Sequence, residues 1–208
     1  MNAREVVLAR LRAALAAAPP AVPGPGPAPR SQGDRPPGHP DLVDLLERRL
    51  TDYRAEVHRA AGSDLAATVA GILAAAGART VVVPAGLPAD WRPETVEVVV
   101  DDGLPATRLA ELDAVVTAAA VAVAETGTIV LDAGADQGRR AISLLPDLHV
   151  CVVHPAQVVG IVPEALARLT PDRPLTWISG PSATSDIELN RVEGVHGPRR
   201  LHVVLTEG

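Results

Sequence analysis

The chain has 208 residues and a mass of 21.5 kDa, which suit one ordinary α/β domain or one domain with an appended arm. It carries 19 basic against 25 acidic residues, for a formal net charge of −6, and only 1% of its residues are aromatic. Because nucleic acids are bound by basic surfaces and stacking rings, this composition argues against a nucleic-acid partner. The chain contains no lysine, which excludes a Schiff-base lysine, a phosphate-loop lysine and a lysine general base.

A single cysteine, Cys151, limits the redox chemistry of the chain. It can form neither an intramolecular disulfide nor a cysteine-rich zinc or iron–sulfur site, and within its apolar run we predict an inert thiol. This cysteine usage suits a cytoplasmic protein. Glu5, Arg10 and Arg12 interrupt the apolar N-terminal residues, and no apolar run approaches the roughly 18 residues of a membrane span. We therefore expect neither export nor a membrane span.

Residues 1–18 are predicted to form an N-terminal helical arm. Four apolar residues fall on one side of such a helix: Val7, Leu8, Leu11 and Leu15. Residues 19–40 are predicted to form a linker rich in Pro and Gly, since closely spaced prolines sustain neither a helix nor a sheet ladder. We expect the apolar side of the arm to dock on its own domain, on a second copy of the chain or on another protein.

Residues 41–208 are predicted to form the α/β domain, which begins with helices. Asp41 is a plausible N-cap, and the apolar residues after it recur at steps of three and four: Leu42, Leu46, Leu50, Tyr53, Val57 and Ala60. This spacing predicts one long helix. A second helix is predicted to begin at Ser63 or Asp64 and to end at Gly77.

The remainder of the domain alternates between predicted strands and helices. The strands are short β-branched runs at residues 80–84, 96–101, 114–116, 128–132, 149–154, 175–179 and 201–206. The helices lie at residues 139–145 and 163–169. Several strands are apolar at nearly every position, as in strands that are covered on both faces. The pattern predicts an α/β protein, a three-layer sandwich with a largely parallel sheet. Ligands of such sheets bind beyond the carboxyl ends of the strands, where we expect the functional loops to meet.

The first candidate loop is Glu125, Thr126, Gly127 and Thr128, between two apolar runs. We expect Glu125 to be partly desolvated, which raises the pKa and the reactivity of a carboxylate. Gly127 would let a ligand or another backbone segment approach closely. The alternative interpretation is a tight turn between strands, in which Glu125 accepts backbone hydrogen bonds.

The second candidate loop directly follows a predicted strand. It contains hydroxyl groups, a glycine and carboxylates: Ser179, Gly180, Ser182, Thr184, Asp186 and Glu188. A glycine-containing turn that enters a helix presents N–H groups to an anion, and neighbouring hydroxyls supplement them. The same residues are also ordinary helix-capping residues, so the alternative is a structural cap.

The third candidate loop holds His196 between Gly194 and Gly197, just before the last strand. A histidine in such a loop is exposed enough to act as an acid, a base or a hydrogen-bond donor. The alternative is that the glycines shape a turn and the imidazole bonds a carbonyl. The histidines at or within strands are predicted to be structural, and His58 is assigned to a helix flank.

Several stronger motifs are absent. The chain has no G-x-G-x-x-G after a strand, no phosphate-loop G-x-x-x-x-G-K and no G-x-S-x-G elbow. Dehydrogenase, nucleotidase and serine-hydrolase functions therefore lack their usual support. The histidines show no recognisable metal-ligand spacing, and we expect no metal and no cofactor on this chain.

Together these segments resemble the lactate-utilisation protein C (LutC-type) branch of the LUD-domain proteins. The resemblance rests on residues 124–128, 143–147, 179–182 with 186–188, and 194–198, in the order that the family shows. The first helix also looks like the leading helix of the family. One departure is Ala183, where the family often has a basic residue, so an anion site here would be weaker or would use an arginine from elsewhere in the chain.

The resemblance implies a sheet of the type shared by ribose-phosphate isomerases, glucosamine-phosphate deaminases and CoA transferases. It also implies a role in the oxidation of L-lactate to pyruvate alongside separate iron–sulfur subunits. These subunits are the expected partners, with a homo-oligomer through the N-terminal helix as another possibility. The clusters are expected on the partners only.

Three functional hypotheses follow. In the first, the chain is the non-redox component of a lactate-oxidising system, and the loops of Glu125, Ser182 and His196 form a pocket for a small carboxylate or anion. In the second, Glu125 is the nucleophile of a CoA-transferase-like acyl transfer, with Thr126 and Thr128 at the developing oxyanion. In the third, the chain is a scaffold for iron–sulfur partner subunits.

Overall fold

The computed structural model describes residues 3–17, 32–182 and 197–207. Its helices are α1 (Ala3–Ala17), α2 (Pro40–Asp52), α3 (Leu65–Ala75), α4 (Ala106–Leu109), α5 (Arg140–Leu144) and α6 (Val162–Leu166). Its strands are β1 (Glu56–Ala61), β2 (Thr80–Pro84), β3 (Glu97–Asp101), β4 (Ala114–Ala118), β5 (Val121–Val123), β6 (Thr128–Leu131), β7 (Leu148–Val153), β8 (Val158–Val159), β9 (Thr176–Ile178) and β10 (Arg200–Glu207).

The main sheet has six parallel strands in the order β1-β10-β7-β4-β2-β3. Its central strands β4 and β7 are buried at every position, which is why their sequences are almost continuously apolar. This sheet confirms the predicted α/β class and the largely parallel pairing. The number of layers and the relation to the CoA-transferase type of sheet stay predictions.

A second, smaller sheet has the order β8-β5-β6-β9. Strands β5 and β6 form an antiparallel hairpin, β9 pairs antiparallel with β6, and β8 pairs parallel with β5. The predicted strands at 128–132 and 175–179 therefore belong to this sheet and not to the parallel one. The sequence did not predict a separate second sheet.

Each face of the main sheet is covered by different elements. On one face, α3 packs on a cluster that includes Ala60 of β1, Val150 of β7 and Val204 of β10. On the opposite face, α2 and the small sheet pack over alternate residues of the same strands, such as Val203 and Leu205. Neighbouring residues of β10 thus enter two separate cores, as expected for a strand that is buried on both sides.

The predicted long helix over residues 42–60 is wrong. Helix α2 ends at Asp52, Arg54 adopts a positive φ of 68°, and the N–H of Ala55 donates to the carbonyl of Leu50, which closes the helix end. The next residues form β1, which pairs with β10. Val57 and Ala60 are three residues apart, which matches a helix face, but in β1 they face opposite cores.

The N-terminal end of α2 also differs from the expectation. The N-cap is His39, whose Nδ1 accepts a hydrogen bond from the N–H of Asp41 at 3.2 Å, so Asp41 lies inside the helix. By contrast, the predicted end of α3 at Gly77 is confirmed, because Gly77 has a φ of 71° just after the helix. The predicted helices 139–145 and 163–169 are present as the shorter α5 and α6.

Part of the predicted linker is fixed to the domain. The N–H of Gly33 donates to Glu164 at 3.0 Å, and the N–H of Gly38 donates to the carbonyl of Val158 at 2.9 Å.

The chain accordingly divides into two compact units, Met1–Arg30 and Ser31–Gly208. Within the first unit, helix α1 exposes Val7, Leu11 and Leu15. Among the described helices, none is long and apolar enough to cross a membrane.

Asp113 fixes the amino ends of two neighbouring strands. Its carboxylate accepts hydrogen bonds from the N–H of Arg79 at 2.9 Å, and from the N–H and the hydroxyl of Thr80 at 3.0 Å. The pKa of Asp113 is lowered below its ordinary value of 3.8, and the hydrogen bond from the N–H of Arg79 is the largest cause. Partial burial acts in the opposite direction, but the hydrogen bonds together outweigh it. Asp113 therefore stabilises the fold fully above that value, and this contribution is lost as the pH falls through the lower folded-state pKa.

The substitution Asp113→Asn is expected to destabilise the protein at pH 7, because the neutral amide accepts these bonds more weakly. It should also reduce the loss of stability between pH 7 and pH 2. Urea unfolding at several pH values measures both effects, with Asp102→Asn, at an exposed aspartate, as the control. Equal pH dependence in the wild type and Asp113→Asn would contradict the assignment.

Candidate functional site

A pocket of about 280 Å³ lies where the amino ends of β7 and β10 meet strand β9. Its walls are rich in hydroxyl groups, and we call it the hydroxyl pocket. The polar side chains that line it are Ser143, His149, Thr176, Trp177, Ser179 and Ser182. Gly197, Pro198 and Leu201 close it on the side of β10.

The structure brings the described parts of the three candidate loops together. The hydroxyls of Thr128 and Ser179 lie 2.8 Å apart, and the hydroxyl of Thr126 donates to that of Thr128 at 2.8 Å. The N–H of Ser182 donates to the carbonyl of Pro198 at 2.8 Å. The second loop thus contacts both the first and the third. Four candidate residues lie outside the described residues: Thr184, Asp186, Glu188 and His196.

The edge of the main sheet at which these loops meet differs from the expectation. Residues 143–144 directly precede β7, and residues 197–198 precede β10, so the hydroxyl pocket lies at the amino ends of these strands. The sequence predicted the carboxyl edge. The reason for the difference is that residues 179–182 follow β9, which belongs to the small sheet, so the rule for parallel sheets does not apply to that loop.

Glu125 does not line the hydroxyl pocket. It lies in the turn between β5 and β6, where its N–H donates to the carbonyl of Gly160 at 3.1 Å. Its side chain is exposed and faces a separate depression that Arg35 and Arg48 also line. The predicted desolvation of Glu125, and its predicted place at the floor of the shared cleft, are therefore wrong.

Gly127 has a φ of 59°, and a Cβ at this position would lie 2.7 Å from the Cβ of Arg49 in α2. The close approach that Gly127 permits is therefore to the backbone of a neighbouring helix. The sequence left open whether a ligand or another backbone segment approaches Gly127, and the structure shows a backbone segment.

His149 is the residue that sequence reasoning missed. It lies in β7, it lines the hydroxyl pocket, and only 1% of its surface is exposed. Its Nε2 lies 2.8 Å from the hydroxyl of buried Thr117 in the neighbouring strand β4. Burial lowers the pKa of His149 to about 4, so the imidazole is neutral at neutral pH. In the sequence, the only signal for this residue was a histidine within an apolar run. The pocket beside it could not be predicted, because it forms only when distant strands pair.

Cys151 follows two residues later on the same face of β7. It is fully buried, and burial raises the pKa of its thiol to about 12. The thiolate form is therefore scarce at neutral pH, and the predicted inert character of this cysteine agrees with its surroundings. Thr117 lies between Cys151 and His149, with its hydroxyl 3.8 Å from the sulfur.

Charge near the hydroxyl pocket is balanced. An adjoining depression shares Leu144 and Gly197 with it and, among the residues that the structure describes, has three basic and three acidic side chains: Arg140, Arg199, Arg200, Glu111, Asp113 and Asp147. Asp147 forms ion pairs with Arg199 and Arg200. A ligand anion in the pocket would therefore be bound mainly by hydroxyl and N–H donors and not by a surplus of positive charge.

Comparison with known proteins places this arrangement in a family. Residues 105–206 match the model of the LUD domain, which defines the class of domain. A lactate utilization protein C from Deinococcus radiodurans is 47% identical over 188 residues, covering 88% of this chain and 84% of that protein. A protein of the same name from Halalkalibacterium halodurans is 30% identical over 185 residues, covering 80% and 79%. The chain belongs to the lactate utilization protein C family.

A solved structure agrees with the fold. The crystal structure of a DUF162 family protein from Deinococcus radiodurans matches this chain with a TM-score of 0.69 and 40% sequence identity. The match covers 80% of this chain and 97% of that one. The resemblance drawn from the sequence motifs is thus confirmed at the level of the family and of the α/β fold.

The substitution Gly127→Ala tests the packing of the hairpin turn on α2. An alanine at this positive φ, with its Cβ against Arg49, is expected to destabilise the protein by about 1–3 kcal/mol. Urea unfolding measures the change. Gly71→Ala in α3 is the matched control, because a Cβ there meets nothing within 4 Å and is expected to stabilise the helix by about 0.5–1 kcal/mol. A Gly127→Ala protein as stable as the wild type would contradict this account.

Proposed function

We propose that this chain acts in L-lactate utilisation as a non-redox component that binds a small carboxylate in the hydroxyl pocket. The relatives named lactate utilization protein C support the role in lactate utilisation. One structural observation supports the site: three of the four family-like motifs line this one pocket through Ser143, residues 179–182 and residues 197–198. The fourth motif reaches it through the contact between Thr128 and Ser179.

The size and the chemistry of the pocket suit a hydroxy acid. A volume of about 280 Å³ is below the range of about 300–1,000 Å³ that is typical of pockets for drug-sized ligands, so a small metabolite fits better than a CoA ester. Serine hydroxyls donate to carboxylate oxygens, and they also accept from a ligand hydroxyl. Neutral His149 adds a polar ring to the wall of the pocket.

Electron transfer in this proposal takes place on separate iron–sulfur subunits. The only cysteine of the chain is buried, and one thiol cannot hold a cluster. The exposed apolar residues of α1, Val7, Leu11 and Leu15, are the surface that we assign to docking on a partner subunit. This assignment makes the arm necessary for function in the cell.

The acyl-transfer alternative has less support. It needs Glu125 in a desolvated site beside the bound acyl group, whereas Glu125 is exposed and lies outside the hydroxyl pocket. A hydroxylamine-sensitive adduct on Glu125, formed with an acyl-CoA and located by mass spectrometry, would favour this alternative over the binding role.

The substitution Ser179→Ala is expected to weaken the binding of L-lactate by about tenfold or more, because a hydrogen bond to a charged group contributes about 1.5–3 kcal/mol. Isothermal titration calorimetry or NMR titration of the purified chain measures the dissociation constant. Glu125→Gln is the control and should bind as the wild type does, since Glu125 lies outside the pocket. Absence of L-lactate binding, or equal binding by Ser179→Ala, would contradict the proposed ligand site.

Growth on L-lactate separates the binding role from a pure scaffold. The test uses a bacterium that depends on its own protein C homologue for this growth, complemented with variants of this chain. We expect Ser179→Ala and deletion of residues 1–18 each to slow growth, and Glu125→Gln to support it. A pure scaffold would instead tolerate Ser179→Ala, and also His196→Ala, and would lose function only with the arm.

A further inference from the structure

Three metal-ligating side chains meet at the amino ends of β1 and β10. Glu56 lies opposite His202 in the register of these two strands, and His58 follows Glu56 by two residues. Because side chains alternate along a strand, all three point to one face of the main sheet, the face covered by α3. This cluster lies on the opposite face of β10 from Leu201 and hence from the hydroxyl pocket.

The donor atoms of the cluster converge. Nε2 of His58 lies 3.1 Å from Nδ1 of His202, and Nε2 of His202 lies 3.7 Å from a carboxylate oxygen of Glu56. One donor atom from each residue can be chosen so that all three lie within 4.8 Å of one another. The two rings are nearly parallel, with an interplanar angle of 11° and centroids 5.4 Å apart.

We propose that Glu56, His58 and His202 form a binding site for a divalent cation of the zinc class. Imidazole nitrogens and a carboxylate oxygen are preferred ligands of Zn²⁺, and two histidines with one glutamate are a known three-ligand set for this ion. Two nitrogens bound to one tetrahedral Zn²⁺ at about 2.0–2.1 Å lie roughly 3.3 Å apart. Nε2 of His58 and Nδ1 of His202 are 3.1 Å apart, which is close to this distance.

The exposure of the three residues leaves room for a further ligand. His202 is buried, His58 is half-buried and Glu56 is exposed, so the cluster runs from the interior of the sheet to the surface. A site with three protein ligands keeps a fourth position for water or a small ligand, and here that position falls on the solvent side. The cation would also link edge strand β1 to β10 by bonds in addition to the backbone ladder.

Arg200 is the positive charge that shares this face of β10. Its guanidinium donates to the carbonyl of Ala76 at 3.4 Å and lies 3.5 Å from the carboxylate of Asp147. Both contacts hold the guanidinium at the adjoining depression, from where its charge still acts on His202. The carboxylate of Glu56 supplies the local negative charge that a cation requires.

Zinc binding by purified protein without a polyhistidine tag tests the proposal. Metal-free protein is titrated with ZnCl₂ at pH 7.5, where imidazoles of ordinary pKa are neutral, and binding is followed by calorimetry. Co²⁺ serves as a spectroscopic probe of tetrahedral coordination. We expect one Zn²⁺ per chain, and dissociation constants at least about tenfold weaker in His58→Gln and in Glu56→Gln.

Two variants are matched controls. His39→Gln removes another half-exposed imidazole, and Glu97→Gln removes an exposed carboxylate at the start of β3, the other edge strand of the main sheet. Both should bind Zn²⁺ as the wild type does. Zn²⁺ should also raise the melting temperature of the wild type but not that of His58→Gln. Wild-type protein that does not saturate at one equivalent, or that binds no more tightly than His58→Gln, would overturn the proposal.

Discussion

The pairing of β10 with both β1 and β7 is the interaction on which the rest of the domain depends. Residues 200–207 come from the C-terminal end of the domain, yet they lie between a strand at residues 56–61 and a strand at residues 148–153. Closing such long loops costs conformational entropy. The burial of Val203 and Leu205 in one core and of Val204 in the other offsets this cost, because both faces of β10 lose contact with water.

The same pairing explains where the hydroxyl pocket forms. β7 and β10 are parallel and in register from Leu148 opposite Arg200, so the segments that precede them must meet at one edge. Those segments are residues 143–147 and 197–198, two of the family-like motifs. The antiparallel pairing of β6 with β9 then brings residues 179–182 to the same place. The pocket is thus a consequence of strand register, and its residues are distant in sequence for that reason.

Much of the fold was predictable from local pattern, whereas the site was predictable only in part. Central strands such as β2 and β7 are short β-branched runs, and burial on both faces makes such runs recognisable. Strand β1 was not recognisable, because its apolar residues at a three-residue step fit a helix equally well. That one error placed His58 on a helix flank. The contact between His58 and His202 could therefore not be predicted, since only the pairing of β1 with β10 brings them together.

The burial of individual polar side chains was harder to predict than the helices and strands. Glu125 is flanked by apolar runs, which suggested burial, but those runs are two strands of a hairpin and the turn between them is exposed. His149 is the opposite case, because this polar residue is buried within an apolar strand. Thr117 on the neighbouring strand provides its hydrogen bond. In both cases local sequence describes the neighbours along the chain, while burial depends on neighbours across the sheet.

Alternation along β10 keeps the two proposed sites separate. Leu201 points towards the hydroxyl pocket, and the next residue, His202, points to the opposite face, towards Glu56 and His58. Substitutions at Glu56 or His58 therefore leave the walls of the pocket unchanged, and Ser179→Ala leaves the cation ligands unchanged. Because the sheet itself lies between the two sites, a failure of cation binding says nothing against the carboxylate pocket, and the reverse holds as well.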